Sequence, residues 1–204
     1  VANRARHRLW RDVGVVAALG IAYTAVVVLR PGGQDVATDV DNVVETAAAL
    51  AAAFACFATA RRVGRWRRRP WLLLGVSMAS WGLGQAAWTY FESIAHQSPF
   101  PSVADVGYLL CVPLAAAAML SFPSHERRVT LLRVLVDGVT VALAALGASW
   151  VLVLGHVVET SGTGLELALA LAYPVGDVVV LVATISALVR AAEDYRTTVT
   201  TLGC

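Results

Sequence analysis

Two groups of polar residues in this apolar chain have the types and spacing for chemistry inside a membrane. The first is a stripe of Trp81, Gln85, Trp88 and Glu92, spaced by four, three and four residues, so these side chains share one face of a helix. The tryptophans suit an aromatic belt at the membrane interface, whereas Gln85 lies about two turns deeper. The stripe predicts a pocket in the outer half of a helix bundle, with a simple interfacial belt as the alternative.

The second group surrounds Asp177, which lies near the middle of an apolar segment. A charged side chain at that depth costs on the order of 3 kcal/mol, so Asp177 must be neutral, hydrogen-bonded or beside a polar cavity. Tyr173 lies one turn earlier on the same face, where its hydroxyl can donate to Asp177, and Pro174 frees a backbone carbonyl nearby. Asp177 therefore indicates either a functional site or a structural buried hydrogen bond, and both interpretations stay open.

Other acidic residues have a simpler explanation as helix caps. Three apolar segments open with a cap residue followed three positions later by an acid, in the patterns Asn42-Val-Val-Glu45, Ser102-Val-Ala-Asp105 and Thr163-Gly-Leu-Glu166. Such side chains satisfy the unpaired N–H groups of a helix N-terminus, and the acid suits the positive end of the helix. Capping alone would account for Asp105.

The elements that must hold these residues are membrane-spanning helices. The chain of 204 residues is 58% hydrophobic and only 15% charged, with a mean hydropathy of +0.68, which is too apolar for an ordinary soluble domain. A spanning helix needs about 20 apolar residues. We predict an all-α, polytopic transmembrane helix bundle of six spans, with a seventh beginning near residue 197 as an open alternative. The predicted spans are 12–29, 43–60, 71–91, 105–122, 134–155 and 166–189.

The arginines predict how the helices are oriented. The chain has sixteen arginines and no lysine, and all of them except Arg30 fall in the termini and the loops that follow the even-numbered spans. By the positive-inside rule these regions are cytoplasmic, so we expect a multi-pass protein of the bacterial cytoplasmic membrane with both termini inside. The arginine-rich face predicts anionic lipid as a partner and no nucleic acid. A homodimer stays open.

The chain shows no sequence motif for soluble-type catalysis. It has no Gly-rich nucleotide-binding motif, no H-E-x-x-H and no metal-ligand spacing of cysteine and histidine. We therefore expect no catalytic residue, cofactor or metal within these residues. A pH or metal sensor assembled from His96, His156, Glu92 and Asp105 is an alternative to ordinary solvated histidines.

Several short motifs together resemble one family. Pro99-Phe-Pro-Ser-Val-Ala-Asp-Val-Gly-Tyr-Leu-Leu110 with Pro113 resembles a stretch of the N-terminal multi-helix membrane regions of actinobacterial cyclic di-GMP signalling proteins. The weaker matches are Trp88-Thr-Tyr-Phe-Glu92, Leu135-Val-Asp137 and Ala172-Tyr-Pro-Val-Gly-Asp177. The resemblance covers roughly residues 70–190. It implies a membrane-embedded sensory or anchoring region that precedes GGDEF and often EAL domains.

The resemblance assigns neither a ligand nor an activity to these residues. It makes Asp105, Tyr108, Tyr173 and Asp177 candidates for a signal or ligand site, alongside Gln85, Trp88 and Glu92. Any cyclase or phosphodiesterase activity would belong to a longer chain, of which we expect residues 1–204 to be one integral membrane sensory or anchoring domain. The alternatives are a small transporter or channel subunit, with Asp177 as its proton or ion site, and a purely structural anchor.

Overall fold

The chain folds into long helices. The computed structural model describes residues 2–122, 136, 139, 140, 143, 144, 147, 150 and 164–202. Across these residues there are helices and no strands, which confirms the all-α prediction. The five long helices are α1 (Ala2–Leu29), α2 (Gln34–Arg62), α3 (Arg65–Thr89), α4 (Val103–Ser121) and α5 (Gly164–Leu202), and a π-helical turn (Tyr90–Ile94) extends α3.

Three of these helices are long and apolar enough to cross a membrane. They are α2, α4 and the Gly164–Ile185 part of α5, whereas α1 holds only a shorter apolar stretch, Val13–Leu29. The described residues therefore do not support six spans, and most of the predicted fifth span, 134–155, lies outside them. α3 does not qualify because it opens with an arginine cluster and continues with polar and small residues. No new helix begins near residue 197, since α5 continues to Leu202.

The predicted start of the second span was wrong by about two turns. α2 begins at Gln34, after Gly33 with a φ of 91°, and its first turn carries Asp35, which suits the positive helix end. The polar stretch from 34 to 42 contains no glycine or proline, so nothing breaks the helix there. Asn42 is therefore a buried residue inside α2 and not an N-cap.

α3 is the central helix of the described bundle and packs most extensively against α2 and α4. Glycines on two of its faces permit this close packing. A Cβ added at Gly82 would lie 2.8 Å from the side chain of Leu50 on α2, and one added at Gly84 would lie 2.8 Å from the backbone oxygen of Ala104 on α4. Gly107 of α4 lies directly opposite Gly84, so the two backbones touch at this crossing.

The residues inside the bundle are small and the large apolar ones face outward. The buried apolar residues of the described part are mostly alanines: Ala37, Ala49, Ala53, Ala60, Ala104, Ala115, Ala118 and Ala183. By contrast, Phe54 is 71% exposed and Leu83 is 67% exposed. Small residues at helix contacts with large apolar residues outside are typical of helices packed in lipid, where close backbone approach drives association.

The directions of the helices define two ends. α2 and α3 are antiparallel and joined by a short turn, and the ring of Trp71 near the start of α3 contacts that of Phe122 just after α4. We call this the arginine end, and we call the opposite end, where α2 and α4 begin, the Glu92 end. Tyr173 of α5 lies beside Asp105, and Gly176 lies beside Val112, so α5 runs in the same direction as α4.

Candidate functional site

Asn42 is the centre of a hydrogen-bond network at the Glu92 end. Its side chain is only 4% exposed. Its Nδ2 donates to Glu92 Oε2 at 2.7 Å and to the Ser93 hydroxyl at 3.3 Å, and its Oδ1 accepts from Gln85 Nε2 at 3.3 Å. A single α2 side chain thus holds three positions of α3 and its π-helical extension.

The π-helical turn gives Glu92 its position. Within this turn Ala95 N donates to Tyr90 O, five residues earlier, and the wider spacing presents Glu92 and Ser93 together to Asn42. Glu92 Oε2 also accepts from Trp88 Nε1 at 3.1 Å. Isolated π turns inside α-helices occur frequently at functional sites. The backbone of His96, just beyond the turn, has a φ of 51°, which is uncommon for a residue with a side chain.

Gln85 extends the network to α4. The side chain is 4% exposed, and its Oε1 accepts from the hydroxyl of Tyr108 on α4 at 2.5 Å. Both ends of the amide are bonded, one to α2 through Asn42 and one to α4 through Tyr108. Glu92, Asn42, Gln85 and Tyr108 therefore form one continuous chain of hydrogen bonds across three helices.

Two threonines lie next to the same network, one helical turn after Asn42 on α2 and one turn after Gln85 on α3. Thr46 and Thr89 face each other across α2 and α3 with their hydroxyl oxygens 3.1 Å apart. Each also donates to a carbonyl of its own helix, Thr46 to Asn42 O at 2.9 Å and Thr89 to Gln85 O at 2.7 Å. Throughout the described residues no buried side-chain nitrogen or oxygen lacks a partner. A fully satisfied buried network favours one packing arrangement over its alternatives.

Asp105 combines a capping role with a contact between helices. Its Oδ2 accepts from the Ser102 backbone N–H at 2.6 Å, while Ser102 Oγ accepts from Ala104 N at 3.2 Å, so the predicted cap at the start of α4 is confirmed. The other carboxylate oxygen, Oδ1, accepts a hydrogen bond from the Tyr173 hydroxyl of α5. Asp105 therefore does more than cap its own helix.

Three helix pairs in the described part are joined by a tyrosine hydroxyl. Tyr23 of α1 donates to Asp41 of α2, Tyr108 of α4 donates to Gln85 of α3, and Tyr173 of α5 donates to Asp105 of α4. Together with the Asn42 contacts between α2 and α3, these bonds connect all five described helices. All of them lie toward the Glu92 end.

A shallow cavity of about 390 Å³ opens beside this network. It lies between the start of α2 and the segment that follows the π turn, and it is lined by Asp35, Thr38, Asp39, Glu92, His96, Gln97 and Ser98. Glu92 is the residue shared by the cavity and the buried network. Of the residues of the predicted pocket, Glu92 lines this cavity, and Gln85 and Trp88 do not.

The predicted group around Asp177 is not assembled as expected. Asp177 is exposed and makes no hydrogen bond to a described residue. The hydroxyl of Tyr173 bonds Asp105 instead of Asp177. The prediction that Tyr173 donates to Asp177 is therefore wrong in the described structure, because α4 supplies a carboxylate at the height of Tyr173.

Only three residues of the alternative sensor, His96, Glu92 and Asp105, lie among the described residues. His96 and Glu92 share the cavity, but Asp105 is not part of its lining. His156 and Thr163, the first residue of the third predicted cap, lie outside the described residues. Among the residues described, no group of three or more histidine, cysteine or acidic side chains has the arrangement for a metal ion.

Sequence reasoning missed Asn42, Thr46 and Thr89 as members of the site. Asn42 was assigned to a helix cap because the apolar run begins just after it. The signal that could have found it is the spacing of Thr38, Asn42 and Thr46, which recur every four residues and so share a helix face once α2 is extended to Gln34.

Comparison with protein-family models, with curated proteins and with solved structures finds no match to the chain.

Proposed function

We propose that this chain is a membrane-embedded sensory module that relays a signal from the Glu92 end of the bundle to a cytoplasmic output domain. The observation that carries the proposal is the hydrogen bond from Tyr173 to Asp105, which joins α5 to α4. α4 is joined in turn to α3 through Tyr108 and Gln85, so a signal that changes the packing beside the cavity can reach α5 through α3 and α4. Such a module needs two packings whose equilibrium the signal shifts.

The first step of the relay is at Glu92. Its Oε2 accepts from both Asn42 and Trp88, and the same residue lines the open cavity. A ligand that reaches Glu92 from the cavity competes with these two donors. Releasing Asn42 from Glu92 would leave one N–H of the buried amide unpaired, which costs about 1–3 kcal/mol, and the helices can recover that free energy by repacking.

The last step is α5 itself. Its apolar sequence runs to Val189, and the helix continues from Arg190 to Leu202 without a break. Thirteen residues of helix extend about 20 Å at ~1.5 Å per residue, so α5 can project beyond a bilayer. A rigid helix of that length can transmit a rotation or a tilt from the membrane to a domain attached after it.

We further propose a topology in which six spans cross the bacterial cytoplasmic membrane. The Glu92 end faces outward, and both termini are cytoplasmic. The output is a GGDEF domain, with or without an EAL domain, as the resemblance of the segment 99–110 implies. The support for the orientation is the partition of the arginines, since the positive-inside rule assigns their loops to the cytoplasm.

The proposal is tested in two stages. The reading frame beyond Cys204 is determined first, and a GGDEF motif there is the expected result. Glu92→Gln and Tyr173→Phe are then introduced into the full-length protein, and cellular cyclic di-GMP is measured together with the amount of protein in the membrane. We expect each variant to change cyclic di-GMP while membrane levels stay normal.

Tyr90→Phe is the matched control for Tyr173→Phe. Tyr90 is 56% exposed, and its hydroxyl makes no hydrogen bond to a described residue, so its removal should leave output unchanged. Normal output from both the Glu92 and Tyr173 variants would refute the relay. A stop codon soon after Cys204 combined with ion flux that depends on Asp177 in proteoliposomes would support the transporter alternative instead.

A further inference from the structure

A second cavity, at the arginine end, takes no part in the proposed relay. Its volume is about 520 Å³, and it is lined by Ala60, Arg61, Val63, Arg65 and Arg68 in the turn from α2 to α3. All three arginines are exposed, and none of their guanidinium groups has an ion pair or hydrogen bond to a described residue. The cavity is therefore lined by three cationic groups that have no described counterion.

The sequence supplies no nearby acid for these arginines. Between Glu45 and Glu92 the chain contains six arginines and no aspartate or glutamate. Arg61 lies in the last turn of α2, where a cation suits the negative helix end. Arg65 and Arg68 have no such explanation, because they lie in the first turn of α3, next to its positive end.

The backbone at the start of α3 adds to the same charge. Gly64 precedes α3, no side chain caps this N-terminus, and its first turn contains no acid. The first N–H groups of a helix have no partner within the helix. The positive end of α3 and three guanidinium groups therefore lie at one cavity, and an anion there would be stabilised by both.

An exposed tryptophan beside the cavity favours a phosphate that belongs to a membrane surface. Trp66, between Arg65 and Arg67, is 91% exposed. Tryptophan is enriched at the headgroup level of bilayers, where one side of the ring is apolar and the other is hydrated. An exposed tryptophan beside the arginines would hold the turn at that level, where lipid phosphates are concentrated.

We propose that the turn between α2 and α3 is a binding site for a phosphate group, held by Arg61, Arg65 and Arg68 and by the N-terminus of α3. Guanidinium groups pair with phosphate oxygens through two parallel N–H donors, which a lysine cannot reproduce. The phosphate can come from the headgroup of an anionic lipid or from free phosphate. The site is independent of the proposed sensory function.

The experiment measures binding to the purified full chain in detergent. One arm titrates phosphatidylglycerol, with phosphatidylcholine as the reference lipid, and counts bound lipid by native mass spectrometry. The other arm titrates inorganic phosphate without lipid and follows thermal stability. We expect saturable binding of one phosphatidylglycerol. Saturable stabilisation by inorganic phosphate that also displaces the lipid would instead identify free phosphate as the source, and it would support the same site.

Paired variants separate the site from diffuse charge. Arg65→Gln/Arg68→Gln removes two cavity arginines, and Arg67→Gln/Arg69→Gln removes two arginines of the same helix that do not line the cavity. The first pair should weaken binding by about tenfold or more, and the second by less than about threefold. Arg65→Lys/Arg68→Lys should bind more weakly than the unchanged chain, because it keeps the charge but loses the paired donors.

Two results would overturn the proposal. One is an equal loss of binding in the two glutamine double variants, which would show a diffuse surface charge and no site. The other is the absence of saturable binding of either phosphatidylglycerol or inorganic phosphate to the unchanged chain.

Discussion

The hydroxyl of Tyr173 on α5 donates a hydrogen bond to Oδ1 of Asp105 on α4. The other carboxylate oxygen, Oδ2, accepts from the Ser102 N–H and so caps the start of α4. One side chain thus fixes both the beginning of a helix and the position of a neighbouring helix. Because the cap already holds the carboxylate in place, Tyr173 meets a rigid acceptor. Any movement of α5 at this height must break the bond or carry α4 with it.

Tyr173→Phe tests the energetic value of this contact. The substitution removes only the hydroxyl, so the cap formed by Asp105 and Ser102 remains. We expect a loss of about 1–2 kcal/mol, seen as a thermal unfolding temperature lowered by a few degrees in detergent. Tyr90→Phe is again the control, since it keeps the ring contact with Phe91 and should leave the unfolding temperature unchanged. Equal effects of the two substitutions would contradict the structural role of the bond.

Asn42→Ala should be the more damaging change. It removes the donor to Glu92 and Ser93 and the acceptor for Gln85, so it leaves partners unpaired inside the bundle. We expect a cost of about 2–4 kcal/mol, measured by thermal or chemical unfolding of the purified chain. Gln34→Ala, at the exposed start of α2, should cost less than about 0.5 kcal/mol. Little or no loss in Asn42→Ala would show that the network does not hold α2 against α3.

Gly84→Ala probes the crossing of α3 and α4. The added methyl group would lie 2.8 Å from Ala104 O and 3.2 Å from Gly107 Cα, so the helices must separate. We expect a loss of about 1–3 kcal/mol. The control is Gly20→Ala in α1, where an added Cβ meets nothing within 4 Å and the higher helix propensity of alanine should slightly stabilise the helix. Unchanged unfolding of Gly84→Ala would exclude close packing at this crossing.

The proposed orientation predicts which end of α3 can be labelled from outside the cell. Ser98 lies in the cavity at the Glu92 end, and Gly64 lies in the arginine turn. The native cysteines are first replaced by alanine, and a single cysteine is then introduced at one of these two positions. Each variant is treated with a membrane-impermeant maleimide. Ser98→Cys should react in intact cells and Gly64→Cys only after permeabilisation. The reverse pattern, or labelling of both from one side, would refute the orientation.

Some of the site could be predicted because its signals are local. The cap at Ser102 and Asp105 depends on four consecutive residues, and it forms as predicted. The shared face of Gln85, Trp88 and Glu92 depends on helical periodicity. Neither inference required knowledge of another helix.

The partners of these residues could not be predicted, because they lie on other helices. Asn42 and Glu92 are fifty positions apart, and Asp105 and Tyr173 are sixty-eight apart. Which residues meet depends on the height and rotation of each helix in the bundle, and single-helix patterns do not contain those quantities. The start of α2 was placed too late for the same reason. The polar residues before the apolar run belong to the helix, and the burial of Asn42 among them depends on its bond to Glu92 of another helix.

Composition and periodicity by themselves determined that this chain is all-helical, that several of its helices are apolar enough for a membrane, and where α4 is capped. These properties follow from residue-by-residue transfer free energies and local hydrogen bonds. Only the tertiary structure decided that Tyr173 of α5 donates to Asp105 and not to Asp177. That choice depends on how closely α4 and α5 approach, and packing sets that distance.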